Sequence, residues 1–120
     1  MQNLSWAAPI LPGKLDAWEA FNAEMQGARL EAHTASRHAM GIHREVASLM
    51  RTPNGDFVCL YHEADDLEKA FRVLATSDDP YLVWFRARAL DIHGLTAEML
   101  MGPPPAEVRF DWQRRCVSQV

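Results

Sequence analysis

A short segment at residues 53–56, Pro-Asn-Gly-Asp, separates two runs rich in residues typical of β-strands, at residues 42–52 and 57–63. Asn and Gly tolerate the positive backbone φ angles that a two-residue hairpin loop requires at its central positions. The sequence therefore predicts an antiparallel hairpin with Asn54 and Gly55 as its loop. No other feature of the chain limits the possible folds as strongly.

This loop also predicts a register for the two strands. Ala47 would lie opposite His62, and Val46 opposite Glu63, so that Arg44 is diagonal to Glu63. Because these diagonal positions share an otherwise apolar face with Val46 and Tyr61, we expect Arg44 and Glu63 to form a cross-strand ion pair shielded from water. Apolar side chains occur on both faces of the hairpin, and one layer of helices can cover only one of them, so we also expect a homodimer.

Patterned segments flank the hairpin on both sides. They are a strand at 3–10, helices near 15–25 and 29–40, a helix capped by Asp65 or Asp66, a helix starting at Asp79-Pro80, and an alternating strand at 107–112. This order predicts an α+β fold, a ferredoxin-like βαββαβ sandwich with helices on one face of an antiparallel sheet. The 120 residues fit a single domain, in which 102–120 form a Pro-rich link and a C-terminal edge strand.

Composition excludes several classes of function. The net charge of −4 disfavours binding to a nucleic-acid backbone. Pro9 interrupts the apolar stretch near the start, so we expect neither a signal peptide nor a membrane span. Two cysteines, Cys59 and Cys116, do not suggest a disulfide framework. These features favour a cytoplasmic protein.

Several local motifs resemble an uncharacterised bacterial family within the dimeric α/β-barrel superfamily. They are Leu-Pro-Gly-Lys at 11–14, the Asn-Gly hairpin, Glu-Ala-Asp-Asp at 63–66, and Ser-Asp-Asp-Pro at 77–80 with Trp84-Phe85. The resemblance implies a homodimer in which two four-stranded sheets pack into a barrel with the helices outside. This superfamily includes antibiotic-biosynthesis monooxygenases that use no cofactor, haem-degrading enzymes and proteins without known activity, so the resemblance does not choose a function.

Metal and cofactor sites are not expected. His43, Glu45 and His62 share one face of the hairpin and imitate a metal-binding triad. The predicted register, however, places His43 about 13 Å from His62. Haem-degrading enzymes use an asparagine, a tryptophan and a histidine, and Asn3, Trp84 and His93 match these residue types but not the spacing of the family.

A pocket between the sheet and the helices is the most informative candidate site. Trp18 and Trp84 would line it, and Arg44, Tyr61 and Glu63 would supply its polar groups. His33, His62 and His93 are candidate proton carriers. No residue is assigned a catalytic role.

Two functions remain open at this stage. One is the binding or conversion of a small apolar or aromatic molecule, as in an oxygenase without a cofactor or an isomerase. The other is a non-catalytic dimerisation or interaction module. A cavity with converging polar groups would favour the first function, whereas a filled interior and an exposed apolar patch would favour the second.

Overall fold

The computed structural model describes residues 1–114. They form an α+β fold of three strands and five helices. The strands are β1 (Gln2–Ile10), β2 (Ile42–Thr52) and β3 (Gly55–Ala64). The helices are α1 (Leu15–Gln26), α2 (Leu30–Ala39), α3 (Leu67–Thr76), α4 (Pro80–His93) and α5 (Ala97–Met101).

The sheet has the order β1-β3-β2, and both pairs of neighbouring strands are antiparallel. The predicted hairpin is confirmed, since β2 and β3 are consecutive and pair along their length. Its central strand, β3, is bordered by two strands. The sheet therefore has two edges, one on β1 and one on β2.

The loop of the hairpin differs from the prediction. Thr52 pairs with Gly55, so Pro53 and Asn54 occupy the loop. Proline fixes φ near −65°, which suits the second position of a common β-turn and excludes positive φ there. Gly55 supplies the positive angle instead, with φ of 125°, at the start of β3. The strand register consequently shifts by two residues relative to the predicted one, which keeps each side chain on its predicted face.

The helix boundaries follow the sequence signals closely. Asp66 and Asp79 cap α3 and α4, each accepting a hydrogen bond from a backbone N–H in the first turn. Gly94 ends α4 in the left-handed conformation that glycine adopts without strain. Among residues 1–114, no helix combines the length and the apolar character that crossing a bilayer requires.

Helices pack against only one face of the sheet, which we call the inner face. Its central row joins Ala8 of β1 to Val58 of β3, and both are buried against Trp18 and Phe21 of α1. The opposite face, the outer face, carries no helix and consists of partly or fully exposed side chains. The period-two alternation of the strands thus separates a covered surface from an open one.

The predicted C-terminal edge strand is absent from the described part of the chain. Residues 107–112 are irregular, and Phe110 and Trp112 are 86% and 72% exposed. The Asn3 amide donates a 2.9 Å hydrogen bond to Asp111, so this segment reaches β1 through a side chain and adds no backbone ladder. Helix α5 was not predicted. The full βαββαβ arrangement is therefore incomplete within residues 1–114, and residues 115–120 of the predicted edge segment lie outside the described residues.

Candidate functional site

A cavity of about 410 Å³ lies between the inner face of the sheet and the helices. This volume falls within the range of small-molecule sites. Aromatic and aliphatic side chains form most of its wall, including Trp6, Trp18, Phe21, Leu60, Phe71 and Phe85. Its charged and titratable lining groups are His33, Arg37, Glu45, His62, Arg86 and His93.

Glu45 is the centre of a hydrogen-bonded cluster in the wall of this cavity. Arg37 donates to both carboxylate oxygens, from Nε at 3.1 Å and from Nη2 at 2.9 Å. Nε2 of His33 lies 2.8 Å from Oε1, and Nε2 of His62 lies 3.5 Å from Oε2. Strand β2 supplies the carboxylate, while α2 and β3 supply its partners. The cluster thereby ties the helical layer to the sheet.

The Glu45 carboxylate is held in its ionised form. Burial raises its pKa, but the hydrogen bonds from His33 and His62 and the charge of Arg37 outweigh burial and bring the pKa far below its usual range. Four donors approach the two oxygens, and a carboxylate offers about four lone-pair positions. Glu45 is therefore a weak base with no acceptor position left for a ligand.

The two histidines of the cluster are themselves oriented by side chains that contact their other ring nitrogens. The Tyr81 hydroxyl lies 2.6 Å from Nδ1 of His33, and burial raises the pKa of Tyr81 to about 12, which keeps this hydroxyl protonated. Trp6 donates from its indole nitrogen to Nδ1 of His62 at 3.4 Å. Because an indole can only donate, Nδ1 of His62 carries no proton, and Nε2 presents its N–H to the carboxylate.

His93 occupies a different environment at the C-terminal end of α4. Its Nδ1 donates to the carbonyl oxygen of Pro9 at 2.8 Å, while the side chain is buried. Burial lowers the pKa of His93, although the Pro9 hydrogen bond acts in the opposite direction. The neutral ring therefore has its proton on Nδ1 and a lone pair on Nε2.

The structure separates the predicted site residues into two groups. Trp18 and His33 line the cavity. Trp84 does not, because it packs within the helical layer, with its ring centroid 5.4 Å from that of Phe21 and Arg29 stacked over it at 4.0 Å. The aromatic wall of the cavity comes instead from residues on several other elements.

Arg44, Tyr61 and Glu63 lie on the outer face of the sheet, opposite the cavity, so they do not form its polar lining. Arg44 is directly opposite Glu63 in the register but is exposed, and these two side chains form no ion pair within the described residues. The expected shielded pair is thus a wrong prediction. The Tyr61 hydroxyl donates to Glu63 at 2.6 Å, and this hydrogen bond raises the pKa of Tyr61.

The sequence reasoning did not identify the Glu45 cluster because it used the wrong loop. With Pro53 and Asn54 in the loop, His62 lies opposite Glu45, where the predicted register had Ala47. The usable signal was the preference of proline for the second position of a turn. Across residues 1–114, the structure places no three His, Cys, Asp or Glu side chains so that they could share a metal ion.

Comparison of the chain with protein-family models, with curated proteins and with solved structures found no match. The likeness to the dimeric α/β-barrel superfamily consequently depends on the sequence motifs alone.

Proposed function

We propose that this protein binds or converts a small, largely apolar molecule in the cavity between its helices and its sheet. The observation that carries the proposal is the combination of about 410 Å³ of space, a mainly aromatic and aliphatic wall, and a few buried polar groups. Burial and hydrogen bonding hold those polar groups in fixed orientations, as a ligand site requires.

The cost of such a cavity supports this proposal. Apolar side chains that surround open space lose packing contacts, and the free energy of unfolding falls as cavity volume grows. A purely structural module would gain stability by filling the space with larger side chains. Small residues such as Ala47, Ala70 and Ala89 instead contribute to the lining.

Naphthalene is a suitable first probe, because it is apolar, flat and small enough for the cavity. Its binding can be followed by ¹H–¹⁵N NMR titration of the wild type and of two variants of α4. Ala89→Leu places extra volume in the cavity, whereas Ala87→Leu places the same volume on the exposed side of the same helix.

We expect saturable shifts at cavity residues in the wild type and in Ala87→Leu, and binding at least about tenfold weaker in Ala89→Leu, which corresponds to about 1.4 kcal/mol. Shifts that do not saturate, or equal affinity in the two variants, would contradict the proposal.

A second candidate function, the dimerisation module, is favoured by the outer face. Its apolar and large side chains include Met50, Phe57 and Tyr61, and the middle row consists of the small residues Ala7, Ser48 and Cys59. Such a surface, with large groups at the ends and a shallow groove between them, can pack against a second copy related by a two-fold axis. The sequence resemblance supports the same occupant, within a ferredoxin-like, dimeric α/β-barrel arrangement in the cytoplasm.

The mass in solution tests this second proposal. Light scattering should return about twice 13.6 kDa for the wild type. Ser48→Arg, which introduces charge at the centre of the outer face, should return the mass of one chain. Thr34→Arg on the exposed side of α2 is the matched control and should leave the dimer intact. A wild-type mass near 13.6 kDa would exclude the dimer.

A further inference from the structure

Four polar side chains are buried within residues 1–114, namely those of Ser36, Arg37, His62 and His93. The first three use their polar atoms in contacts with protein groups. His93 differs, because Nδ1 is bonded to Pro9 while Nε2 has no hydrogen-bond partner in the described part of the chain.

Nε2 of His93 must face accessible space. Every fully enclosed side-chain nitrogen or oxygen of the described residues has a hydrogen-bond partner, so an atom without one is not fully enclosed. The residue is only 7% exposed and forms part of the cavity wall. We therefore assign the accessible space next to Nε2 to the cavity that His93 lines.

The Pro9 carbonyl decides what this nitrogen can do. A carbonyl oxygen only accepts, so it holds the ring proton on Nδ1. In the neutral ring, Nε2 is then an acceptor with its lone pair directed away from that contact. A ligand group that meets it must donate a hydrogen bond.

The charges around the cavity disfavour a cationic ligand. Arg37 and Glu45 neutralise each other through two hydrogen bonds. Arg86 lines the cavity without an acidic partner among the described residues, and its Nη1 donates to the carbonyl oxygens of Leu74 and Ser77 at the C-terminal end of α3. An anionic group would not supply the donor that Nε2 of His93 requires, and any charged ligand loses its hydration in a largely apolar cavity. A neutral ligand with a hydrogen-bond donor therefore fits this cavity best.

We propose that Nε2 of His93 accepts a hydrogen bond from the hydroxyl or N–H group of a neutral, flat, apolar ligand, a compound of the phenol type, and so sets its orientation in the cavity. The aromatic wall suits a flat ring, which can stack or meet the lining rings edge to face. This inference rests on the proposed ligand-binding function and specifies the class of ligand.

The test compares 2-naphthol with 2-fluoronaphthalene, which has nearly the same shape but no donor, by NMR titration of the wild type. We expect 2-naphthol to bind roughly 3- to 10-fold more tightly, the range that a net hydrogen bond supports. If both compounds bind with affinities within about twofold of each other, the His93 inference fails and ligand binding stands. If neither binds, the proposed function itself fails.

Variants then assign the donor preference to His93. His93→Asn retains an amide that can donate to the Pro9 carbonyl but removes the acceptor at the Nε2 position, so folding should be preserved. We expect this variant to lose the preference for 2-naphthol while binding 2-fluoronaphthalene within about twofold of the wild type. A preference that persists in the variant would overturn the inference, and the wild-type comparison remains decisive if the variant does not fold.

His33 and His62 also line the cavity, but both ring nitrogens of each already contact protein groups. His93→Asn leaves both of them in place, so loss of the 2-naphthol preference in this variant would assign the acceptor to His93, and its persistence would assign it elsewhere.

Discussion

Glu45 and Glu63 are both strand residues with an aligned partner on the neighbouring strand, yet they have opposite roles. Glu45 is opposite His62 on the inner face, and His33 and Arg37 of α2 complete its surroundings. Glu63 is opposite Arg44 on the outer face and bonds only to the nearby Tyr61 among the described residues. One carboxylate joins two layers of the fold, and the other is a surface group.

The difference arises from the period of the strand. His62 and Glu63 are adjacent in the chain, but consecutive side chains point to opposite faces of a sheet. Helices cover only the inner face, so desolvation strengthens the interactions of Glu45 and not those of Glu63. A charge pair in the sequence does not indicate burial; the presence of a covering layer does.

The largest expected effect comes from removing the charge of Glu45. Glu45→Gln leaves Arg37 buried without its counter-ion, and breaking a buried pair typically costs about 3 to 5 kcal/mol. Glu63→Gln, the matched change on the outer face, should cost under about 1 kcal/mol. Urea unfolding of both variants measures the difference. Equal urea midpoints for the two variants would contradict the different roles of the two carboxylates.

The same comparison can be made with acid. The folded-state pKa of Glu45 is far below its ordinary value of 4.5, so its stabilisation is complete above pH 4.5 and is lost as the pH falls below that value. The stability gap between the wild type and Glu45→Gln should therefore narrow below pH 4.5.

A smaller effect on stability is expected from removing the Tyr81 hydroxyl, which contacts His33 of the cluster. Tyr81→Phe removes the hydroxyl that contacts Nδ1 of His33 and leaves that partly buried nitrogen without this partner, at a cost of about 1 kcal/mol. Tyr61→Phe removes a hydroxyl from the outer face and should shift the urea midpoint less. If Tyr61→Phe proved the more damaging change, the assignment of the two faces would be wrong.

The pH dependence of stability distinguishes His93 from the cluster. Burial lowers its folded pKa below the ordinary value of 6.5, so the unfolded chain binds more protons as the pH falls through this window. Stability should decrease on acidification below pH 6.5, by at most about 1.4 kcal/mol per pH unit. In His93→Leu this loss of stability on acidification should be missing. An unchanged slope of the free energy of unfolding against pH would contradict its assignment to His93.

The smallest effect is expected at Arg44. Its side chain is exposed and forms no ion pair with Glu63 in the described residues, so Arg44→Met should change the free energy of unfolding by less than about 0.5 kcal/mol. A double-mutant cycle with Glu63→Gln should give additive effects. A coupling energy above about 1 kcal/mol would show a pair that this structure does not contain.

Local signals in the sequence predicted most of the elements. The caps at Asp66 and Asp79 and the stop at Gly94 are chemical properties of single residues, so they act independently of the rest of the fold. The predicted strand at 107–112 was wrong because strand formation does depend on the rest of the fold. Alternation at 107–112 indicates compatibility with a sheet, but pairing also requires a neighbouring edge in the correct position.

The candidate site was harder to predict because it depends on register and on packing between layers. The predicted loop was one residue too late in the chain, which placed Ala47 opposite His62 where the structure has Glu45. The cluster was therefore not predicted. Arg37 and Tyr81 could not be grouped with Glu45 from the sequence, since they come from two helices whose docking no local pattern specifies. Trp18 and His33 could be selected because each lies on the stripe of side chains that recurs every three to four residues along its helix.

Helix α5 and the segment before it have a kinetic consequence for any bound molecule. Leu95 and Leu100 belong to the cavity wall, yet α5 is only five residues long and packs mainly against α3. So short a helix has little intrinsic stability, and such segments open by local unfolding well before the rest of a domain. We expect opening of α5 to set how long a ligand stays, so that residence time could change without any change in the contacts that determine affinity.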